Sequence, residues 1–266
     1  MAFVERPRGA RIWWGSMGRG EPVVMLMGLG CSSALWFRIA PSLARTHRVI
    51  LIDNRGTGQS RAPGAVVHRV AHMAADVDAV LQAAGESDAH VIGFSMGGMI
   101  AQQFASDFPN RVRSLALLGT NPGGPRTIQA AAPVRRLLFD KAKMSPQEAL
   151  LAMRPYTYGR DTPDALFEED TLVRIANQPT ARDYTAQLLA LLYWSAYRQL
   201  AALRVPLLVI HGLQDALIPP GNGRLIASQV RLARLVELPH ASHWLTTDAT
   251  EDCLEALRVH LDDRRL

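Results

Sequence analysis

The chain reads as an α/β fold: a mostly parallel sheet with helices on both faces and a helical cap inserted late in the sequence. Three observations predict it. Short apolar runs alternate with stretches of helical period, as crossover connections between parallel strands require. One of those runs leads directly into Gly93-Phe94-Ser95-Met96-Gly97 and a helical stretch beyond it, which puts a serine on a sharp strand-to-helix turn. The alternation then lapses over residues 121–200 and resumes, so the interruption is an insertion into one domain.

Residues 11–14 form an early strand and residues 15–20 a turn. Pro22-Val23-Val24-Met25-Leu26-Met27 is too short for a helix and too uniformly apolar for a half-exposed strand. It fits a central strand buried on both faces. Gly28-Leu29-Gly30 ends it, a helical pattern covers residues 35–44, and Val49-Ile50-Leu51-Ile52-Asp53 is a second buried strand closed by the loop at residues 54–60. Residues 70–84 carry apolar side chains at helical spacing, with Gly85 where a C-terminal cap belongs. Residues 91–94 and 96–108 are the strand and helix around the serine, and residues 112–118 are a further strand. The insertion contains helical patterns at residues 146–153 and 181–200. After it come a strand at 205–211, a helix near 223–229, a strand at 233–238 and a closing helix near 250–261. The expected organisation is a core of residues 1–120 and 201–266 carrying a cap of residues 121–200.

At 266 residues, 48% hydrophobic and 20% charged, the chain suits a globular protein with a sizeable core. No apolar run approaches the roughly 18 residues of a membrane span. The N-terminal Met1-Ala2-Phe3-Val4-Glu5-Arg6-Pro7-Arg8 carries charges where a signal peptide needs its apolar segment. A cytoplasmic location without membrane attachment is therefore expected. The net charge of +5 comes from arginines scattered among carboxylates, with no Lys/Arg run longer than two residues; this pattern favours solvated surface charge over a nucleic-acid partner. Cys31 and Cys253, the two cysteines, lack the spacing of a disulfide framework or a zinc site and read as reduced thiols. Cys31 is either a small buried side chain or a thiol lining a pocket. Nothing in the sequence points to a metal, nucleotide or flavin.

A serine hydroxyl is a weak nucleophile unless it is held exposed, beside a base and near donors that stabilise an oxyanion. The strand-turn-helix context makes Ser95 a candidate nucleophile, the alternative being a serine that only caps the helix. Asp215 lies in a loop leaving the end of a buried strand, where catalytic groups gather in open α/β sheets. His243 follows the next strand, giving the chain order Ser, Asp, His. His240 is a rival base three residues earlier, and Asp53 and Asp76 are further acids near the sheet.

From residue 23 to residue 261 the chain resembles the α/β-hydrolase fold superfamily, specifically its capped serine esterases. The resemblance rests on Met27-Gly28-Leu29-Gly30, Asp53-Asn54-Arg55-Gly56-Thr57-Gly58-Gln59-Ser60, Gly93-Phe94-Ser95-Met96-Gly97-Gly98, His211-Gly212-Leu213-Gln214-Asp215 and His243. It implies Ser95 as nucleophile, His243 as general base and then acid, and Asp215 as the group that fixes the imidazole tautomer. It also implies an oxyanion hole made by the backbone N–H groups of Leu29 and Met96. Two positions depart from the family pattern: Met27 stands where a histidine is usual, and Ser242 where a glycine often precedes the catalytic histidine.

The implied activity is cofactor-independent hydrolysis of a carboxylic ester, including a lactone or methyl ester, of an apolar small metabolite. The same triad serves C–C bond hydrolases, thioesterases and haloperoxidases or perhydrolases, and a non-catalytic ligand-binding protein could also retain it. Expected to line the substrate pocket are Trp36, Phe94, Tyr156, Tyr158, Leu189, Tyr193, Trp194 and Trp244, although large apolar residues in a helical lobe are also ordinary core. The sequence leaves the oligomeric state open.

Overall fold

The computed structural model describes residues 1–64 and 67–263. Among the described residues, eight strands form one sheet in the order β1-β2-β4-β3-β5-β6-β7-β8. These are β1 (Ala2–Arg6), β2 (Ala10–Met17), β3 (Pro22–Leu26), β4 (Arg48–Ile52), β5 (Ala89–Phe94), β6 (Val112–Leu118), β7 (Leu207–Gly212) and β8 (Ala233–Leu238). β2 runs antiparallel to both β1 and β4, and every neighbouring pair from β4 through to β8 is parallel.

The helices α1 (Ala40–Leu43), α2 (Val70–Ala84), α3 (Met96–Asp107), α9 (Gly221–Gln229), α10 (Leu245–Asp248) and α11 (Thr250–Leu261) accompany the sheet. Between β6 and β7 the chain forms α4 (Ala132–Asp140), α5 (Pro146–Thr157), α6 (Asp164–Ala176), α7 (Ala181–Leu192) and α8 (Tyr197–Leu200).

The uniform apolarity of β3 follows from its place in the middle of the sheet. Val24 and Leu26 face one core layer with Met73, Val77, Ile100 and Phe104 of α2 and α3. Val23 and Met25 face the opposite layer with Trp36, Leu43, Leu254 and Leu257. Successive side chains of a strand point to opposite faces, so a strand covered on both must be apolar at every position. Gly85 ends α2 at φ 76, and its amide donates to Gln82 O at 3.1 Å while that of Glu86 donates to Leu81 O at 2.9 Å, which satisfies carbonyls that the helix end would leave open.

Several elements differ from the sequence expectation. β2 runs on to Met17, into the turn expected at residues 15–20, and the helical pattern at residues 181–200 divides into α7, ending at Leu192, and the short α8. β1 was not expected; it is an edge strand paired only with β2 and mostly exposed, so it carries no buried alternation. The helical pattern at residues 35–44 divides into a 3-10 turn, Ser33–Arg38, and the short α1, with Pro41 in the first turn of α1. Proline lacks the N–H a continuous α-helix would use there.

The segment between β6 and β7 is bonded to the sheet region through buried polar groups. Asp170 of α6 accepts hydrogen bonds from Arg38 Nη2 at 3.1 Å, Tyr158 OH at 3.0 Å and Thr247 Oγ1 at 2.7 Å. Asp248 of α10 accepts from Gly159 N at 2.9 Å, Thr162 Oγ1 at 2.7 Å and Ser242 N at 2.7 Å. Replacing Asp170 with Ala leaves a guanidinium and two hydroxyls without their shared acceptor, and is expected to destabilise the fold by about 3–5 kcal/mol. Denaturant unfolding measures this, and an unchanged midpoint would contradict it.

Candidate active site

Ser95 sits between β5 and α3 with φ 55 and ψ −118. A non-glycine residue in such a conformation costs on the order of 1–3 kcal/mol, so the surroundings must hold it. The Ser95 amide donates to Leu118 O at 2.9 Å. Its carbonyl accepts from Thr120 Oγ1 at 2.7 Å and Gly98 N at 2.9 Å. The turn also requires bare backbone: a Cβ on Gly97 would lie 2.0 Å from Leu26 O, and one on Gly93 would lie 2.4 Å from Gly97 O.

Loops after β7 and β8 bring the other two groups to the same end of the sheet. His243 Nε2 lies 3.1 Å from Ser95 Oγ, and His243 Nδ1 lies 2.8 Å from Asp215 Oδ2. The other oxygen of Asp215, Oδ1, accepts from Leu217 N at 2.9 Å and Ile218 N at 2.7 Å. Ionised Asp215 can only accept, so Nδ1 of His243 carries the proton and Nε2 is free to accept from the serine hydroxyl. Burial pushes the Asp215 carboxyl up, but the charge and hydrogen bond of His243, with His211 close by, outweigh it and hold the group below the usual carboxylate range. His240, by contrast, is exposed. Asp53 is bonded to Ser33 Oγ at 2.7 Å and Gln59 N at 2.8 Å, and Asp76 pairs with Arg6 and Arg55; both serve structural loops.

The amides of Leu29 and Met96 are bonded to no acceptor among the described residues, and both residues line the cavity with Ser95. The Leu29 loop is held from outside. Gln187 of α7 accepts from Gly30 N at 2.8 Å and donates to Arg55 O at 2.6 Å, while Asn54 Nδ2 donates to Met27 O at 2.8 Å. Gln187 was missed in the sequence; its signal was a lone amide on the apolar face of a helix. His211 was quoted in the sequence only within the motif that carries Asp215, with no role of its own. Its Nε2 donates to Ile218 O at 2.8 Å and lies 3.6 Å from Asp215 Oδ2, bracing the loop that carries Asp215. Ser242, in the position where glycine is usual, donates from its hydroxyl to Gln214 O at 3.1 Å, which joins the His243 loop to the Asp215 loop.

The Ser95 hydroxyl faces a cavity of about 300 Å³, within the range of small-molecule sites. Of the expected pocket residues, Phe94 and Trp244 line it together with Leu29 and Met96. The others do not. Trp36 is fully buried in the core, edge-on to Phe94. Tyr158 packs on Phe167 and Trp244 and spends its hydroxyl on Asp170. Trp194 donates from Nε1 to Gln103 Oε1 at 2.8 Å, and Tyr193 is 96% exposed. Tyr156 and Leu189 are half-buried outside the lining. On α7 the inward face is Leu188, Leu191 and Leu192, positions that share one side of a helix at three- and four-residue spacing; Leu189 is turned away from it. Cys31 is buried and also lines the cavity.

Among the described residues no group of three or more His, Cys, Asp or Glu side chains could hold a metal ion, and no helix is long and apolar enough to cross a membrane.

Known proteins resemble the chain over most of its length. It is 33% identical over 259 residues to the pimeloyl-[acyl-carrier protein] methyl ester esterase of Chromobacterium violaceum, covering 93% of this chain and 96% of that one. It is 30% identical over 247 residues to RutD of Azorhizobium caulinodans, a protein named for carbamate hydrolysis, covering 88% of each. An esterase from Exiguobacterium antarcticum superposes with a TM-score of 0.87 at 22% identity, covering 98% of this chain and 99% of that one, a likeness of fold. Residues 21–250 match the alpha/beta hydrolase fold family, and the chain belongs to that family.

Proposed function

We propose that the chain is a serine hydrolase that cleaves a carboxylic ester of a small, largely apolar metabolite through an acyl-enzyme. Lactones and methyl esters fall within that chemistry. The observation that carries the reading is the hydrogen-bonded chain Asp215–His243–Ser95, with links of 2.8 and 3.1 Å, opening on a mostly apolar cavity. The esterases among its relatives support it, and residues 121–200 act as the cap that closes the cavity.

In this reading Ser95 Oγ attacks the ester carbonyl as its proton passes to His243 Nε2. The carbonyl oxygen becomes an oxyanion that accepts hydrogen bonds from the amides of Leu29 and Met96. Collapse breaks the bond to the alcohol oxygen, which takes the proton back from His243 and leaves. Water then attacks the acyl-enzyme, His243 removes its proton, and the carboxylic acid departs as Ser95 regains its hydrogen. Asp215 stays ionised throughout, orienting the imidazole and stabilising it when charged. The residues that carry these steps require no cofactor. The RutD relative makes a carbamate a second electrophile, with nitrogen or oxygen leaving from the same tetrahedral adduct, and a carbamate belongs in the substrate panel.

Turnover of short-chain aryl esters and labelling by an activated phosphonate test the assignment. Ser95→Ala is expected to abolish labelling, and Asp215→Asn to lower kcat about 10⁴-fold by leaving His243 in the wrong tautomer. His243→Ala should be as severe and His240→Ala mild; the reverse order would move the base to His240. A wild type that neither turns over esters nor takes the label overturns the reading.

The pH profile has a defined sign. Protonated His243 cannot accept the serine proton, so kcat/KM falls on the acid side. Asp215 is held below the usual carboxylate range and remains ionised there, so the fall should have the slope of a single proton. A two-proton slope in a stopped assay would mean that a second group titrates with it.

A further inference from the structure

Two cations stand at the wall of the cavity without a carboxylate. Lys141, which follows α4, and Arg174 of α6 both line the Ser95 cavity. Both also line a second cavity, of about 350 Å³, beneath Tyr184 and Pro179. They are the two residues that the cavities share. No Asp or Glu lines either one, and neither cation forms an ion pair among the described residues. The nearest carboxylate on α6, Asp170, already accepts from Arg38, Tyr158 and Thr247.

Aromatic rings hold both charged ends in place. Lys141 Nζ lies 4.6 Å from the centroid of the Tyr184 ring, and Arg174 Cζ lies 4.7 Å from that of the Trp244 ring. Such contacts orient a cation but leave most of its hydrogen-bonding capacity open. Burial lowers the Lys141 pKa to about 8, and the Arg174 guanidinium adds to the push. Keeping two like charges close together in a mostly apolar cavity costs stability unless an anion joins them. Trp244 follows His243, and Cys31, two residues from Leu29, lines the same cavity as Lys141 and Arg174. An anion between the two cations would therefore lie within the same bound molecule as the carbonyl presented to Ser95.

We propose that Lys141 and Arg174 form an anion subsite, so that the preferred substrate is an ester bearing a carboxylate remote from its scissile carbonyl. This rests on the ester-hydrolase reading and narrows it: the cavity wall near Leu188, Leu191 and Leu192 takes the apolar chain, and the two cations take the charged end. Arg135, exposed and donating to Ala130 O at 2.8 Å, also lines the Ser95 cavity and adds a third positive charge nearby.

The test compares paired esters. Monomethyl adipate against dimethyl adipate places the carboxylate on the acyl side, and 4-acetoxybenzoate against methyl 4-acetoxybenzoate places it on the alcohol side. For each pair the readout is the ratio of kcat/KM for the anionic ester to that for the neutral one. In wild type, Lys141→Met, Arg174→Gln and Lys141→Arg, the neutral ester serves as the internal reference for folding and chemistry. A hydrogen-bonded ion contact is typically worth about 1.5–3 kcal/mol, so the ratio should fall about tenfold or more in Lys141→Met and Arg174→Gln for one pair and be largely restored in Lys141→Arg. The pair that responds identifies the side of the ester that carries the charge.

Adipate itself, titrated calorimetrically into wild type and the same variants, reads the subsite without turnover. If none of the four esters is hydrolysed but adipate binding weakens about tenfold on either substitution, the ester reading fails and the anion subsite stands. If the ratios and the adipate affinity are both indifferent to Lys141 and Arg174, the subsite is overturned while ester hydrolysis stands.

Discussion

The backbone of Ser95 governs the architecture of the site. At φ 55 and ψ −118 it turns the chain from β5 into α3 within one residue and leaves the side chain projecting from the end of the sheet. The strain persists because both polar backbone groups of Ser95 have partners and the positions two residues to either side, Gly93 and Gly97, have no Cβ. Leu118 O, Thr120 Oγ1 and Gly98 N fix the peptide, and β3 approaches so closely at Leu26 that only glycine fits at residue 97. The cost is local, while the restoring contacts come from two neighbouring strands and a helix. Loss of any of those elements would relax the turn, so the fold and the proposed nucleophile cannot be separated.

The same logic extends outward to the proposed oxyanion loop. Met27, just before the loop, is buried in the core, and the loop takes its support from Gln187 and Asn54. Gln187 belongs to α7, between β6 and β7. The helical segment therefore both walls the cavity and fixes the amide at Gly30, next to the proposed donor at Leu29. A shift of α7 would move the substrate wall and the oxyanion loop together, which couples the shape of the bound molecule to the geometry of the chemistry.

The sheet and the strand-to-helix turn were legible because each depends on short-range pattern, whereas the proposed partners Asp215 and His243 were reached through their places after buried strands and through the family resemblance. Buried parallel strands must be apolar on both faces, and the elbow needs glycines at fixed offsets. The pocket was not legible. Tyr193 and Trp194 are neighbours on a helix end, yet one is exposed and the other is core bonded to Gln103; period alone cannot say which face of α7 meets the sheet. Tyr158 reads as a pocket aromatic until Asp170, twelve residues away, claims its hydroxyl. Gln187 and Lys141 escaped notice for the opposite reason: a polar residue among apolar ones is meaningful only once its partner, or the lack of one, is visible.

Asp215 and Lys141 show how burial can mean opposite things in one cavity. For Asp215 burial works against the charge, yet two histidines and two loop amides surround the carboxylate and its pKa still falls below the ordinary range. The protein has supplied the whole environment, as a group that must be charged in every step requires. For Lys141 burial and Arg174 both work against the charge, and no carboxylate opposes them. A fold that satisfies Asp215, Asp170 and Asp248 with three or more hydrogen bonds each is able to neutralise buried charge where structure alone is at stake. Lys141 and Arg174, half-buried where the two cavities meet, have the Tyr184 and Trp244 rings and the Tyr158 hydroxyl beside them but no ion pair among the described residues, an environment that an anionic ligand would complete.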